Sequence, residues 1–260
     1  MKAVATYEAD VIEYERKGGI GRRHNYFGER GTLDQNPQGF MVERPYPNAL
    51  INPHFHDVDQ FQVVVDGSGT IGKRPVKPIA FHYADAYTPY GPIKGDEGGL
   101  SFFTLRNCAS GGHWAMPGNK QHMPGRAGRN VAQLFDTDIS GLTENEIKTE
   151  TLIEPFDDRL QVVGYYLGPN AETDAIASDG GGQYHLVGSG FLLDTENGNK
   201  ELPPKSLIRV ENGEAPAHYK AGPEGASVLC MQYPAPTKRP GSDPSKMVRE
   251  GYADHAKEGA

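Results

Sequence analysis

The sequence predicts an all-β chain of two tandem β-barrels with few short helices, on three observations. The 33 glycines and 20 prolines among 260 residues disfavour long helices and suit short strands joined by tight turns. Aromatic and β-branched residues gather in short runs with turn residues between them, the best example being Phe61-Gln62-Val63-Val64-Val65 before Asp66-Gly67-Ser68-Gly69. The pattern also recurs. Phe61 to Gly69 echoes Tyr184 to Gly190 with two residues dropped, and Gly98 to Leu105 echoes Gly225 to Tyr233.

Residues 1–38 are polar and turn-rich. Strand-like runs then appear at Gly39–Arg44, Phe61–Val65, Ile79–Tyr83, Ala86–Thr88 and Leu100–Leu105, which together make a first barrel over 1–105. Residues 106–147 are rich in Gly, Asn, Arg and His and read as an irregular linker. Thr143 and Glu146 form a capping-box pattern for a short helix near 143–148. Strands resume at Thr149–Ile153 and Leu160–Leu167 and carry a second barrel over 148–235. From Pro236 to 260 the chain is charged and rich in Pro and Lys, as expected of a loose tail.

A formal net charge of −8 repels phosphate backbones, and Arg22-Arg23 is too short a basic run to reverse this, so nucleic acid is not an expected partner. Two cysteines, Cys108 and Cys230, are too few for a disulfide framework and suit reduced thiols. The first ten residues lack the apolar run of a signal peptide, and no stretch approaches the roughly 20 apolar residues that span a bilayer. The expectation is a cytoplasmic protein with no membrane partner.

The chemistry concentrates in one segment. On a strand, side chains at i and i+2 share a face, so His54 and His56 can converge on one ion. Gln60 follows four residues later, Gly67 seven after that, and a second strand ends in Pro89-Tyr90-Gly91. This arrangement resembles the two motifs of the cupin superfamily: His-x-His, three or four residues, Glu, six residues, Gly, then a strand ending in Pro-x-Gly. The resemblance is best over residues 40–105 and extends weakly, through the repeat, to about 235.

That resemblance implies a divalent metal (Fe, Zn, Mn or Ni) held by His54, His56 and Gln60, with a neutral amide where the family usually has a carboxylate. The family's last histidine falls on Lys94, which has no lone pair to offer when protonated. His82, on the strand before Pro89, is the best expected replacement ligand, with Tyr83, Tyr87 and Tyr90 as alternatives. Lys94 and Tyr90 are the expected catalytic acid or base. Related cupins are dioxygenases, isomerases and lyases acting on small oxygen-bearing molecules, and dimers are common among them. The competing expectation is a non-enzymatic cupin that binds a small molecule without a competent metal site.

The second repeat has no His-x-His, and Ala175 to Gln183 offers no ligand cluster, so that barrel reads as structural. His185 and His218 read as structural, and His113 and His122 as surface-loop residues. Gly67-Ser68-Gly69-Thr70-Ile71-Gly72 matches a dinucleotide fingerprint, but Pro75 and Pro78 forbid the helix it needs. There is no Gly-x-Ser-x-Gly elbow, and Cys108 has no neighbouring base in sequence.

Overall fold

The computed structural model describes residues 1–16, 18–29, 35–125 and 128–246. Their regular structure is almost all antiparallel strand. The only helical pieces among them are short 3-10 turns at Thr6–Glu8, Lys120–His122, Thr195–Asn197 and Pro244–Lys246. The chain forms two compact units. The first barrel contains Asp10–Leu134 and the described residues from Thr237 onward. The second contains Met1–Ala9 and Phe135–Pro236.

In the first barrel the strands lie in the order Asn130–Leu134, Ala80–Ala84, Gln60–Ile71, Ile93–Arg106, Gln38–Arg44, Gly19–Phe27, Asp10–Arg16. In the second the order is Lys2–Val4, Leu207–Val210, Gln183–Asp194, His218–Gln232, Gln161–Leu167, Ile147–Ile153. Period-two alternation sends one set of side chains inward along each strand. Val64, Leu100, Phe102 and Ile93 pack together in the first barrel, and Tyr165, Val187, Leu192 and Val228 in the second. Each such apolar side chain contributes about 1.5–3 kcal/mol by leaving water.

The longest strand pair of each barrel bends at a matched pair of glycines. Gly67 (φ +72°) faces Leu100 just beside Gly99 (φ +79°), and a β-carbon on Gly67 would collide with the Gly99 carbonyl. Gly190 (φ +60°) faces Ala226 beside Gly225 (φ +79°), with the same collision. Only glycine adopts these angles and allows this approach at low cost. The internal repeat is therefore real but keyed differently from the sequence reading. Gly190 answers Gly67, Gly225 answers Gly99, and Gln183 answers Gln60, with no residues dropped along this strand.

Several expected boundaries move. Asp10–Arg16 and Gly19–Phe27 are paired antiparallel strands, where a turn-rich stretch was expected. The first of them is largely exposed and the second partly so: Arg22 pairs with Glu13 at 2.9 Å, His24 Nε2 lies 2.9 Å from a Glu43 oxygen, and Val11, Ile12 and Ile20 stand in solvent among them. Arg22 is thus a strand residue. The stretch 106–147 is not an irregular linker throughout. Trp114–Ala115 pairs with His54–Phe55, and Asn130–Leu134 completes the first sheet beside Ala80–Ala84. Thr143 does bond Glu146, through its backbone N (2.8 Å) and Oγ1 (2.9 Å), yet the segment is a turn leading into the strand Ile147–Ile153 and not a helix. Ala86–Thr88 is likewise a turn, with Tyr87 at φ +59°.

The expected loose tail is anchored over its described part. Arg239 donates to both oxygens of buried Asp59, at 2.8 and 2.6 Å, and lies 3.3 Å from Asp85. Residues 247–260 of that tail lie outside the described residues.

Candidate functional site in the first barrel

His54 and His56 converge, but on a strand of only two residues, His54–Phe55. The main chain of His54 is tied on both sides, to Tyr90 (3.1 and 3.0 Å) and, through strand pairing, to Ala115. Phe55 points the other way, fully buried and stacked on Trp114 at 5.7 Å, which aims the flanking imidazoles to the opposite side. The two rings sit edge to face with centroids 5.2 Å apart. A third imidazole joins them: His113 stacks on His54 with centroids 4.0 Å apart. His113 is thus part of the cluster and not a free surface residue. His122 stays exposed, against Trp114.

Hydrogen bonds fix the tautomers. His54 Nδ1–H donates to the Asn52 carbonyl at 2.8 Å, and His56 Nδ1–H to the Gly112 carbonyl at 2.6 Å, since a carbonyl can only accept. The 110–112 loop that presents Gly112 is itself held: the Gly111 N–H donates to both oxygens of Asp57, each at 2.9 Å. Both Nε2 atoms are therefore acceptors. Burial keeps these rings neutral. It pushes His54 down to about 3, with His113 adding repulsion, and drives His56 well below the ordinary histidine value. Burial likewise lowers His82 and His113 to about 4.

The centre of the cluster is held by a residue the motif did not indicate. Arg106 is buried at the end of the strand Ile93–Arg106, directly across from Gln60. Its Nε donates to Gln60 Oε1 at 2.8 Å, and its Nη1 to Gln38 Oε1 at 3.3 Å. Its Nη2 lies 3.2 Å from His56 Nε2 and 3.4 Å from Nδ1. The other end of Gln60 donates from Nε2 to the Tyr90 hydroxyl at 2.6 Å. Alternation along the strand was the available signal, since Phe102, Thr104 and Arg106 share one face with Gln60, Gln62 and Val64.

These residues do not fit a divalent ion as they stand. The lone pairs of His56 Nε2 and Gln60 Oε1, the atoms a metal would need, face a permanent guanidinium. No group of three or more His, Cys, Asp or Glu among the described residues has a metal-holding arrangement. His82 is buried on Ala80–Ala84 with Nε2 3.0 Å from Asn130 Oδ1, and its ring lies beside Tyr90 at 5.0 Å.

Lys94 is not brought to the cluster. Its neighbour Ile93 points into the core, so the Lys94 side chain lies on the other face, exposed, and the acid–base role expected for it has no geometric support. Tyr90 is central, with its ring 4.6 Å from His54. Burial pushes its hydroxyl up from the ordinary tyrosine value, so Tyr90 stays protonated: its oxygen accepts from Gln60 Nε2, and its O–H suits a donor rather than a base.

Beside the cluster opens a cavity of about 690 Å³, reached between Ile71–Lys77, Ala80–His82, Pro89–Gly91 and Asn130–Leu134. His82 and Tyr90 form part of its wall, and Lys73, Arg74 and Lys77 stand exposed around it. No carboxylate is found among the described residues that line it. His82 Nδ1 is buried without a hydrogen-bond partner. With Nε2–H donated to Asn130 Oδ1, that nitrogen is an acceptor.

No family model matches the chain, and no curated protein matches it in sequence. Solved structures do. A dioxygenase candidate from Nostoc punctiforme is 10% identical with a TM-score of 0.61, covering 93% of this chain and 84% of that one. Oxalate decarboxylase from Bacillus subtilis, studied for its Mn(II) centres, is 12% identical with a TM-score of 0.54, over 88% and 76%. Oxalate decarboxylase from Lactobacillus farciminis, in a formate complex, is 10% identical with a TM-score of 0.57, over 89% and 86%. At such identities the likeness shows the fold. Among the described residues, no helix is long and apolar enough to cross a membrane.

Proposed function

We propose that this chain, which has the two-barrel fold of the cupin superfamily, binds a small organic anion bearing hydroxyl groups in its first barrel. The observation that carries this reading is the cavity: three cations and no described carboxylate line it, on a chain whose net charge is −8. Lys73, Arg74 and Lys77 attract and hold the anionic end. Inside, the unpartnered His82 Nδ1 accepts a hydrogen bond from a ligand hydroxyl, and the Tyr90 O–H, whose oxygen already accepts from Gln60, donates to a ligand oxygen. A ligand that satisfies both ends removes the cost of a buried, unpaired nitrogen. The structural likeness to a decarboxylase in a formate complex accords with a small acid as ligand.

Thermal-shift titration with formate, oxalate, glycolate and tartrate tests this. The hydroxy acids should stabilise the chain most, and the combined substitution Lys73→Ala/Arg74→Ala/Lys77→Ala should weaken them at least tenfold. No stabilisation by any of the four, or equal stabilisation of the triple variant, would rule the reading out.

The second reading is a metal-dependent cupin enzyme using Fe, Zn, Mn or Ni, of the dioxygenase, isomerase or lyase type. It is favoured by the tautomers, since both His54 and His56 give Nδ1–H to a backbone carbonyl and so keep the lone pair on Nε2, as metal-ligating histidines do. Near-stoichiometric metal in untagged protein, lost on His54→Ala/His56→Ala, would favour it over simple binding.

A further inference from the structure

The histidine cluster and the cation beside it allow a sharper statement, independent of what the cavity binds. We infer that Arg106 is a built-in replacement for a divalent ion: its guanidinium takes the acceptor atoms that would otherwise form a metal site, and its removal opens that site.

The geometry supports this atom by atom. Gln60 presents Oε1 to Arg106 Nε at 2.8 Å, which forces its Nε2 toward Tyr90. His56 has Nδ1–H committed to Gly112, so its only lone pair is on Nε2, 3.2 Å from Arg106 Nη2. His54 has Nδ1–H committed to Asn52, which leaves its Nε2 as a third neutral acceptor beside the other two. Three neutral acceptors in a buried pocket need a cation or several donors. A guanidinium supplies five N–H donors in a fixed plane and never loses its charge. A dication entering the same space would meet that charge at close range, in surroundings that screen it poorly. The barrel therefore accepts one cation or the other, and the chain carries its own.

Backbone placement makes the exchange local. Arg106 and Gln60 are direct cross-strand neighbours, and His54 is pinned through the Tyr90 main chain and the Trp114–Ala115 strand. None of those bonds uses the Arg106 side chain, so the histidines keep their positions when it is shortened.

The test is metal binding by chelator-stripped, untagged protein, measured as bound Zn(II), Ni(II) or Mn(II) after gel filtration and by calorimetry. Wild-type protein should retain less than about a tenth of an equivalent. Arg106→Ala should retain about one equivalent and bind at least a hundredfold tighter, and adding His54→Ala and His56→Ala should abolish the gain. If Arg106→Ala does not fold, Arg106→Gln removes the charge while keeping a donor for Gln60 and Gln38 and should show the same gain. Arg106→Lys keeps the charge and should behave as wild type. One equivalent of metal in the wild type, lost with His54→Ala/His56→Ala, would overturn the inference. So would a folded Arg106→Ala or Arg106→Gln protein that binds no more metal than wild type.

Discussion

The two barrels put a glutamine at the same place and complete it differently. In the first, Gln60 lies across from Arg106; in the second, Gln183 lies across from Gln232. The second pair closes on itself and on the backbone. Gln183 Nε2 donates to Gln232 Oε1 at 2.8 Å and reaches the Ile176 and Ala177 carbonyls, while Gln232 Nε2 reaches the Arg159 carbonyl and Asp179 Oδ1, each at 3.0 Å. Two residues along, the first barrel pairs Gln62 with Thr104 and the second pairs His185 with Cys230. His185 bonds the Tyr219 hydroxyl, and burial raises the Cys230 thiol far above its ordinary value, so neither offers reactive chemistry. One scaffold thus supports, at this position, a neutral glutamine pair in one unit, with its buried cation Arg209 placed elsewhere against Tyr184 and Glu211, and a guanidinium among histidines beside a cavity in the other. The difference lies in a few inward side chains and in a loop that delivers His113.

Acid should separate the barrels most strongly. Histidines held neutral in the folded state take up protons only when the chain unfolds. Stability from them is complete above about 6.5, the ordinary value, and is lost as pH falls toward the folded values. The first barrel buries His54 (about 3), His82 and His113 (about 4) and His56, also lowered; the second has only His185 at about 3. Each costs up to about 1.4 kcal/mol per pH unit in that window. Trp114, the single tryptophan, belongs to the first barrel and reports on it. Between pH 6 and 4 its fluorescence should show unfolding while hydrogen exchange still protects Leu186 and Val228. Simultaneous loss of both would break the comparison.

The glutamines give the next effect. Gln60→Leu removes the nearest acceptor of a buried guanidinium and should cost about 3 kcal/mol. Gln183→Leu breaks only neutral hydrogen bonds and should cost about 1–2 kcal/mol. Urea unfolding of both variants measures the difference, and equal costs would mean that the charge at Arg106 matters little.

The smallest contrast concerns the chain ends that complete each barrel. Arg239→Ala leaves Asp59 buried without its main counter-charge and should cost the first barrel about 2–3 kcal/mol. Thr6→Val removes the hydroxyl's bonds to the Pro204 carbonyl (2.6 Å) and to Ser206 Oγ (3.4 Å) near the surface of the second, leaves the backbone N–H bond to Ser206, and should cost about 1 kcal/mol or less. Thermal unfolding of the two variants ranks them.

Much of the fold was legible because strands announce themselves by apolar runs. Phe61–Val65 lies within an observed strand, and Leu160–Leu167 matches one that runs Gln161–Leu167. The strand pair Asp10–Arg16 and Gly19–Phe27 was hidden because the first strand is largely exposed, the second partly so, and both interleave charged residues such as Glu13 and Arg22 with their apolar ones, which reads as loop. Asn130–Leu134 became a strand only through its partner Ala80–Ala84, and pairing over such distances leaves no local trace. At the site, spacing brought out His54, His56, Gln60 and Tyr90. Lys94 was misplaced because motif counting ignores strand parity, which turns it outward. Arg106 escaped notice because an arginine in a strand usually faces water, and only its register opposite Gln60 shows otherwise.

The ion pair between Arg239 and Asp59 also bears on how the chain is made. The arginine is synthesised 180 residues after its partner, with nearly all of the second barrel in between. At ribosomal speed that interval is roughly 10–40 seconds. Throughout it the Asp59 carboxylate lacks its guanidinium partner, and the surface at Asp57 and Ala86 that later receives Gly241 stays uncovered. The first barrel is therefore completed only after the last strand of the second has been made, and a truncation after Pro236 would leave Asp59 buried without its guanidinium partner.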